Sequence, residues 1–152
     1  MRLRRAARDD MAAVAVLHRL TMKTSLPYLP DLHTPAEDLA FFRDVLFDRG
    51  EMWVAEGADG AIVGYTAVSP GWLDHLYVHP DHHRLGVGHA LLEQARADVS
   101  ALQLWAFQRN ASARAFYEAH GFTIQRLTDG SGNEEREPDV LYAWSRAAIA
   151  NG

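Results

Sequence analysis

The sequence predicts a layered α/β fold in which a mixed sheet is covered by helices. Three observations carry this. Strand-like and helix-like segments alternate along the chain. Hairpins join the strands of the first half, and helices join those of the second. The length, 152 residues with 48% apolar and 23% charged, suits a single domain over residues 1–152 with its own core.

Each element has a local reason. Residues 2–6 form a short first strand. Asp9 and Asp10 sit where an N-cap belongs, and Met11, Val14, Leu17, His18 and Leu20 then recur at helical spacing. Prolines at 27 and 30 break that helix into a loop around Tyr28. Thr34 with Pro35 reads as an N-cap followed by proline at the first helical position, and Glu37 is the capping-box partner. Leu39, Phe42, Val45 and Leu46 would be the buried face of this helix, which Gly50 ends. Residues 52–56 and 62–68 read as a hairpin around Ala58-Asp59-Gly60. Ser69-Pro70-Gly71 breaks the second strand, and Trp72 to Val78 is a third. A glycine-containing loop leads into a helix over residues 88–99, with Leu91, Leu92 and Ala95 inward. A strand over 102–107, a helix over 110–120 closed by Gly121, and strands over 122–127 and 140–144 complete the chain. A polar loop, 129–138, separates the last two strands.

Composition removes several classes of function. There is no cysteine, which excludes a disulfide scaffold, a thiolate zinc site, an iron–sulfur cluster and a cysteine nucleophile. No apolar run approaches the roughly eighteen residues of a membrane span. The first residues lack the apolar core of a signal peptide, so a cytoplasmic protein is expected. A net charge of -5 without a basic stripe argues against nucleic acid as a partner.

The most informative stretch runs from Leu76 to Leu92. A strand enters a loop with Gly86 and Gly88 and leaves as a helix. The first backbone N–H groups of a helix point outward without partners, and the helix dipole adds positive charge there, so such a loop binds phosphate. Glycine lets the backbone approach a ligand, and Arg84 adds a charge-assisted bond. A tight turn without a ligand would leave the same trace. Two nucleotide motifs fail: His89 and Ala90 follow Gly88 where a Walker loop needs Lys and Ser/Thr, and Leu91 stands where a dinucleotide fingerprint needs glycine.

The second stretch is Asn110 to Phe122. On a helix, Asn110 and Tyr117 lie on nearly one face, roughly 10 Å apart, with the small Ala113 between them. The ordinary readings are an N-cap for Asn110 and core packing for Phe116 and Tyr117.

Together the two stretches resemble the GNAT superfamily of acetyl-CoA-dependent N-acetyltransferases. The matching pieces are Leu76-Tyr77-Val78-His79-Pro80, then His83 to Gly88, then Asn110-Ala111-Ser112-Ala113-Arg114-Ala115-Phe116-Tyr117 through Gly121-Phe122. The likeness is specific over residues 72–122. It implies a mostly antiparallel sheet with splayed central strands, and acetyl-CoA as co-substrate. Two positions depart from the family pattern. His83 stands where Gln or Arg begins the pyrophosphate motif, and Trp72 stands where many relatives carry a glutamate base.

The resemblance also implies roles. His83, Arg84, Leu85, Gly86, Val87, Gly88 and His89 would hold the pyrophosphate, Tyr77 and Val78 the thioester end, and Asn110, Ala113 and Phe116 the pantetheine arm. Tyr117 would be the general acid for the leaving thiolate. With no cysteine to carry an acyl group, the amine attacks directly. An alkylammonium has a pKa of about 10 and must first lose a proton. In a strand Asp74 shares a face with Trp72, Leu76 and Val78, the face on which the family's glutamate would lie, which makes it the candidate base through water, while His75 faces the other way as a core or interface histidine. Tyr28 and Trp72 would wall the acceptor site, near the acidic loop containing Glu134, Glu135, Glu137 and Asp139. That loop is also readable as a solvated hairpin. His79, His82, His83 and His89 cluster without any zinc spacing, so no metal is expected. A homodimer is compatible with the family. The competing function is a non-catalytic acyl-CoA sensor on the same fold; a nucleotide-binding regulatory module is the third.

Overall fold

A computed structural model describes residues 1–147; residues 148–152, part of the expected domain, lie outside the described residues. The chain forms two compact units that divide in sequence between Ala97 and Asp98.

The first unit carries four antiparallel strands in the order β1 (Arg2–Arg5), β2 (Glu51–Glu56), β3 (Ile62–Ser69), β4 (Trp72–Val78). One face of this sheet is covered by α1 (Met11–Ser25), α2 (Pro35–Phe41) and the π turn Phe42–Leu46, which runs on into the short α3 (Phe47–Arg49). Met11, Val14, Leu17, Phe42 and Leu46 pack there against Met52, Val54, Tyr65 and Ala67. The other face receives α4 (Val87–Arg96), whose Val87 and Leu91 meet Ala55, Val63 and Val78.

The second unit is a three-stranded antiparallel sheet in the order β5 (Ala101–Phe107), β7 (Asp139–Ser145), β6 (Thr123–Leu127). It also contains α5 (Ala111–Ala119), which ends against a left-handed Gly121 with φ +90°. The alternating α/β architecture and the antiparallel pairing agree with the sequence reading.

The differences are local. Asp10 occupies the N-cap position of α1 but makes no cap bond. Its carboxylate instead takes two bonds from the Arg4 guanidinium, at 2.8 and 2.9 Å, and one from the Ala7 amide at 2.7 Å. Leu20 is exposed on α1. The Thr34–Glu37 capping box forms as expected, with bonds of 2.8 and 3.1 Å. Val45, expected inward, is 46% exposed, because the π turn winds wider than 3.6 residues and rotates the face. Gly50 closes the segment where a Cβ would stand 1.9 Å from the Val68 carbonyl oxygen. The helix expected to run to residue 99 stops at Arg96.

Candidate active site

The loop after β4 is built for close approach. His83 leaves the short 3-10 turn Pro80–His82. Arg84 and Gly86 both adopt left-handed backbone, at φ +66° and +84°. Gly86 is the N-cap of α4, and among the described residues this N-cap makes no side-chain cap bond. The first turn of α4 therefore offers its outward N–H groups to a ligand. A Cβ on Gly86 would meet nothing within 4 Å, so the space above the loop is open. His83, Arg84, Leu85, Gly86 and His89 are exposed, Gly88 is partly buried, and Val87 is buried as the anchor of the helix start.

His83 has a definite task here. Its Nε2–H donates to the Val78 carbonyl oxygen at 2.9 Å, so the neutral ring is the Nε2–H tautomer. The imidazole ties the loop to the last residue of β4. His79 closes the same corner: its Nδ1 accepts from the Asp81 amide at 3.0 Å, and its own amide donates to Val63 at 2.7 Å. Among the described residues no three His, Asp or Glu lie close enough together to hold a metal ion.

On β4 the register corrects the expected facing. Cross-strand partners share a face, and the pairs are Trp72 with Ser69, Leu73 with Val68, His75 with Ala67, Leu76 with Thr66, Tyr77 with Tyr65 and Val78 with Gly64. Asp74 has no partner on β3; it is the extra residue of a β-bulge. The bulge resets the alternation. Trp72 falls on the face of His75 and Tyr77, not with Leu76 and Val78 as an ideal strand requires. The Thr66 hydroxyl donates to the His75 carbonyl at 2.9 Å and satisfies the disrupted ladder. Asp74 is partly buried, and its carboxylate has no partner among the described residues.

The face carrying His75 and Tyr77 holds a network that sequence reasoning missed. The Tyr65 hydroxyl lies 2.9 Å from His18 Nδ1 and 2.8 Å from His75 Nδ1. Phe42 and Tyr77 pack around it, with the Tyr77 ring 4.9 Å from that of His18. Burial pushes His18 down to about 4 and His75 down to about 3, so both are neutral near pH 7. The available signal was a histidine on the apolar stripe of α1 and a tyrosine inside an apolar strand. Tyr28, in the loop after α1, is partly buried.

In the second unit Asn110 is the N-cap of α5: its side chain accepts from the Ala113 amide at 3.2 Å. Ala113 and Phe116 are partly buried, and Tyr117 is 8% exposed. The Tyr117 ring packs against Phe116 and Phe122, with centroids 5.3 and 5.5 Å away. The acidic loop is largely engaged. Glu137 pairs with Arg109 through bonds of 2.7 and 2.8 Å, which hold its carboxyl below the ordinary range. Asp139 takes bonds from Thr128 and Asn133. Glu135 faces an open cavity of about 570 Å³ lined also by Trp105, Phe107 and Arg126. The Arg126 guanidinium lies 5.4 Å from the ring centre of Trp105, itself 41% exposed.

Comparison with known proteins agrees with this layout. A family model described as an acetyltransferase (GNAT) domain matches residues 48–124. The peptidyl-lysine N-acetyltransferase YiaC of Escherichia coli is 28% identical over 93% of this chain and 95% of its own. A probable N-acetyltransferase of Mycobacterium tuberculosis is 32% identical over 84% of this chain and 83% of its own. Among solved structures, apo YjaB from Escherichia coli superposes with a TM-score of 0.77 at 21% identity, covering 94% of this chain and 96% of that one. The yncA protein of Salmonella typhimurium, solved with acetyl-CoA, gives 0.72 at 18% identity over 95% and 93%. With its strand–loop–helix passage inside the matched region, the chain belongs to the GNAT family of acetyl-CoA-dependent N-acetyltransferases.

Proposed function

We propose that this chain is one acetyltransferase domain over residues 1–152, acting in the cytoplasm, that moves acetyl from acetyl-CoA to a primary amine by direct attack. A peptidyl lysine is the acceptor to test first, since YiaC carries that name. The observation that supports the reading best is the uncapped start of α4 behind two left-handed residues, Arg84 and Gly86. The residues present fit the donor. Backbone N–H groups over 84–89 take the pyrophosphate, the Arg84 side chain adds charge, and His83 holds the loop in place through Val78.

Acetyl-CoA supplies an activated thioester. A backbone N–H at Tyr77 or Val78 meets its carbonyl oxygen and stabilises the charge that develops there. Asp74, acting through water, takes the proton that the ammonium must lose before its nitrogen attacks. As the new C–N bond forms and the C–S bond breaks, the Tyr117 phenol protonates the departing thiolate. Asn110, Ala113 and Phe116 line the pantetheine arm. Tyr28 and Trp72 wall the acceptor.

Thermal unfolding with acetyl-CoA, against CoA, ATP and NAD, tests the donor. A ligand of the folded state at a hundred times its Kd adds about 2.7 kcal/mol. A rise in midpoint with acetyl-CoA and none with ATP or NAD supports the reading, and free thiol released on adding a lysine peptide supports the acceptor class. No shift at millimolar acetyl-CoA overturns it.

A further inference from the structure

Three elements of the first unit converge on one hydroxyl. Tyr65 of β3 is fully buried, and its oxygen lies within hydrogen-bond distance of His18 Nδ1 on α1, at 2.9 Å, and of His75 Nδ1 on β4, at 2.8 Å. A phenol carries a single hydrogen. It donates to one Nδ1 and must accept from the other. One imidazole is therefore the Nδ1–H tautomer and its partner the Nε2–H tautomer. The two opposed imidazoles and the phenol make one continuous hydrogen-bonded line.

His18 and His75 are of intermediate exposure as residues, and neither Nε2 is among the buried side-chain atoms left without a partner. His75 sits on the β4 face shared with Trp72 and Tyr77. Phe42 and Tyr77 enclose the middle of the line. The charged groups acting on it are Asp38 and Arg19 at His18, and Arg49 at His75.

We propose that His18, Tyr65 and His75 form a proton relay that takes the acceptor amine's proton at His75 Nε2 and releases one from His18 Nε2 to solvent. This rests on the acetyl-transfer reading above; the relay carries nearly all of the amine's proton flux, and Asp74 acting through water is the minor route. The protons balance. At the start His75 holds hydrogen on Nδ1, Tyr65 donates to His18 Nδ1, and His18 holds hydrogen on Nε2. As the N–H bond of the ammonium breaks, His75 Nε2 gains its proton. The His75 Nδ1 hydrogen passes to Tyr65 oxygen, the phenolic hydrogen passes to His18 Nδ1, and the His18 Nε2 hydrogen leaves to water. Both rings finish neutral with their tautomers exchanged, and no step needs a lasting imidazolium. Burial that disfavours the charged rings favours this concerted passage over trapping the proton on one of them.

The test uses the full chain with acetyl-CoA and a lysine peptide. Nitrogen NMR of the labelled histidines is expected to show opposite tautomers at 18 and 75, both neutral at pH 7. Tyr65→Phe keeps the ring and removes the hydroxyl. His18→Asn keeps a polar atom near the Nδ1 position but cannot pass a proton through. Each is expected to lower kcat by about a hundredfold with KM for both substrates held. The loss should shrink as pH approaches the acceptor's own pKa of about 10, where the amine arrives deprotonated. The wild type should give a curved proton inventory in mixed heavy water and Tyr65→Phe a linear one. Thermal midpoints identify a variant that has merely unfolded, and the other then decides. Like tautomers at both histidines, or a folded variant with wild-type kcat and pH profile, would overturn the relay alone. If the wild type turns over no amine at all, the acetyl-transfer reading falls and takes the relay with it.

Discussion

Gly64 on β3 lies directly under Val87 at the start of α4. A Cβ added to Gly64 would stand 3.1 Å from Val87 Cγ1 and 3.0 Å from Leu91 Cδ1. The sheet thus sets the height of the helix whose first turn is the proposed pyrophosphate site. Gly64→Ala is expected to cost about 1–3 kcal/mol by overpacking. Because the displaced element begins with Val87, acetyl-CoA binding should weaken as well. Thermal unfolding with and without acetyl-CoA separates the two effects. Unchanged values for both would show that α4 yields freely and does not depend on this contact.

Gly86 poses the opposite case. Space is open around it, but its φ of +84° is unfavourable for a side chain. Gly86→Ala should destabilise the free protein by about 1–2 kcal/mol. The added methyl also stands at the N-cap of α4, where the proposed site brings a phosphate close to the backbone. Acetyl-CoA affinity should fall about tenfold, the equivalent of 1.4 kcal/mol. Calorimetric titration reads this directly, and an unaltered Kd would place the pyrophosphate elsewhere.

Tyr117 is packed by Phe116 and Phe122, so Phe at this position retains the ring contacts. If its hydroxyl protonates the thiolate, Tyr117→Phe lowers kcat by about a hundredfold or more. The midpoint rise given by acetyl-CoA should persist. A non-catalytic acyl-CoA sensor has no turnover for the substitution to remove. A variant with wild-type kcat would assign the acid to another group.

What could be read in advance follows from range along the chain. The Thr34–Glu37 capping box and the β4–loop–α4 passage depend on residues a few positions apart, and spacing alone carries them. The bulge at Asp74 could not be seen that way. Trp72, Leu76 and Val78 keep their even spacing in the sequence, whereas the extra residue appears only in the register against Val68 and Ala67. The π turn at Phe42–Leu46 hid in the same manner and turned Val45 outward. The bond of His83 to the Val78 carbonyl could not be read either, because a backbone partner has no signature in residue type. The network around Tyr65 joins positions 18, 65 and 75, and nothing local links them.

That network makes stability depend on pH in a direction that can be worked out. His18 and His75 are lowered chiefly by burial, to about 4 and about 3, whereas an unfolded histidine titrates near 6.5. Between those values the unfolded chain binds protons that the folded chain does not, so stability rises with pH across the window. On acidification it is held down to about pH 6.5 and then lost, until the folded-state values are reached. Each histidine contributes a slope of up to about 1.4 kcal/mol per pH unit. Urea unfolding at intervals from pH 7.5 to 4.5 should show this fall. The His18→Asn, His75→Gln double variant should lose most of the slope attributable to these two groups, even if it is less stable at pH 7. A wild-type curve that stays flat from pH 6.5 to 4.5 would mean that both imidazoles accept protons in the folded state, and the Tyr65 hydroxyl would then have no bare Nδ1 to which it could donate.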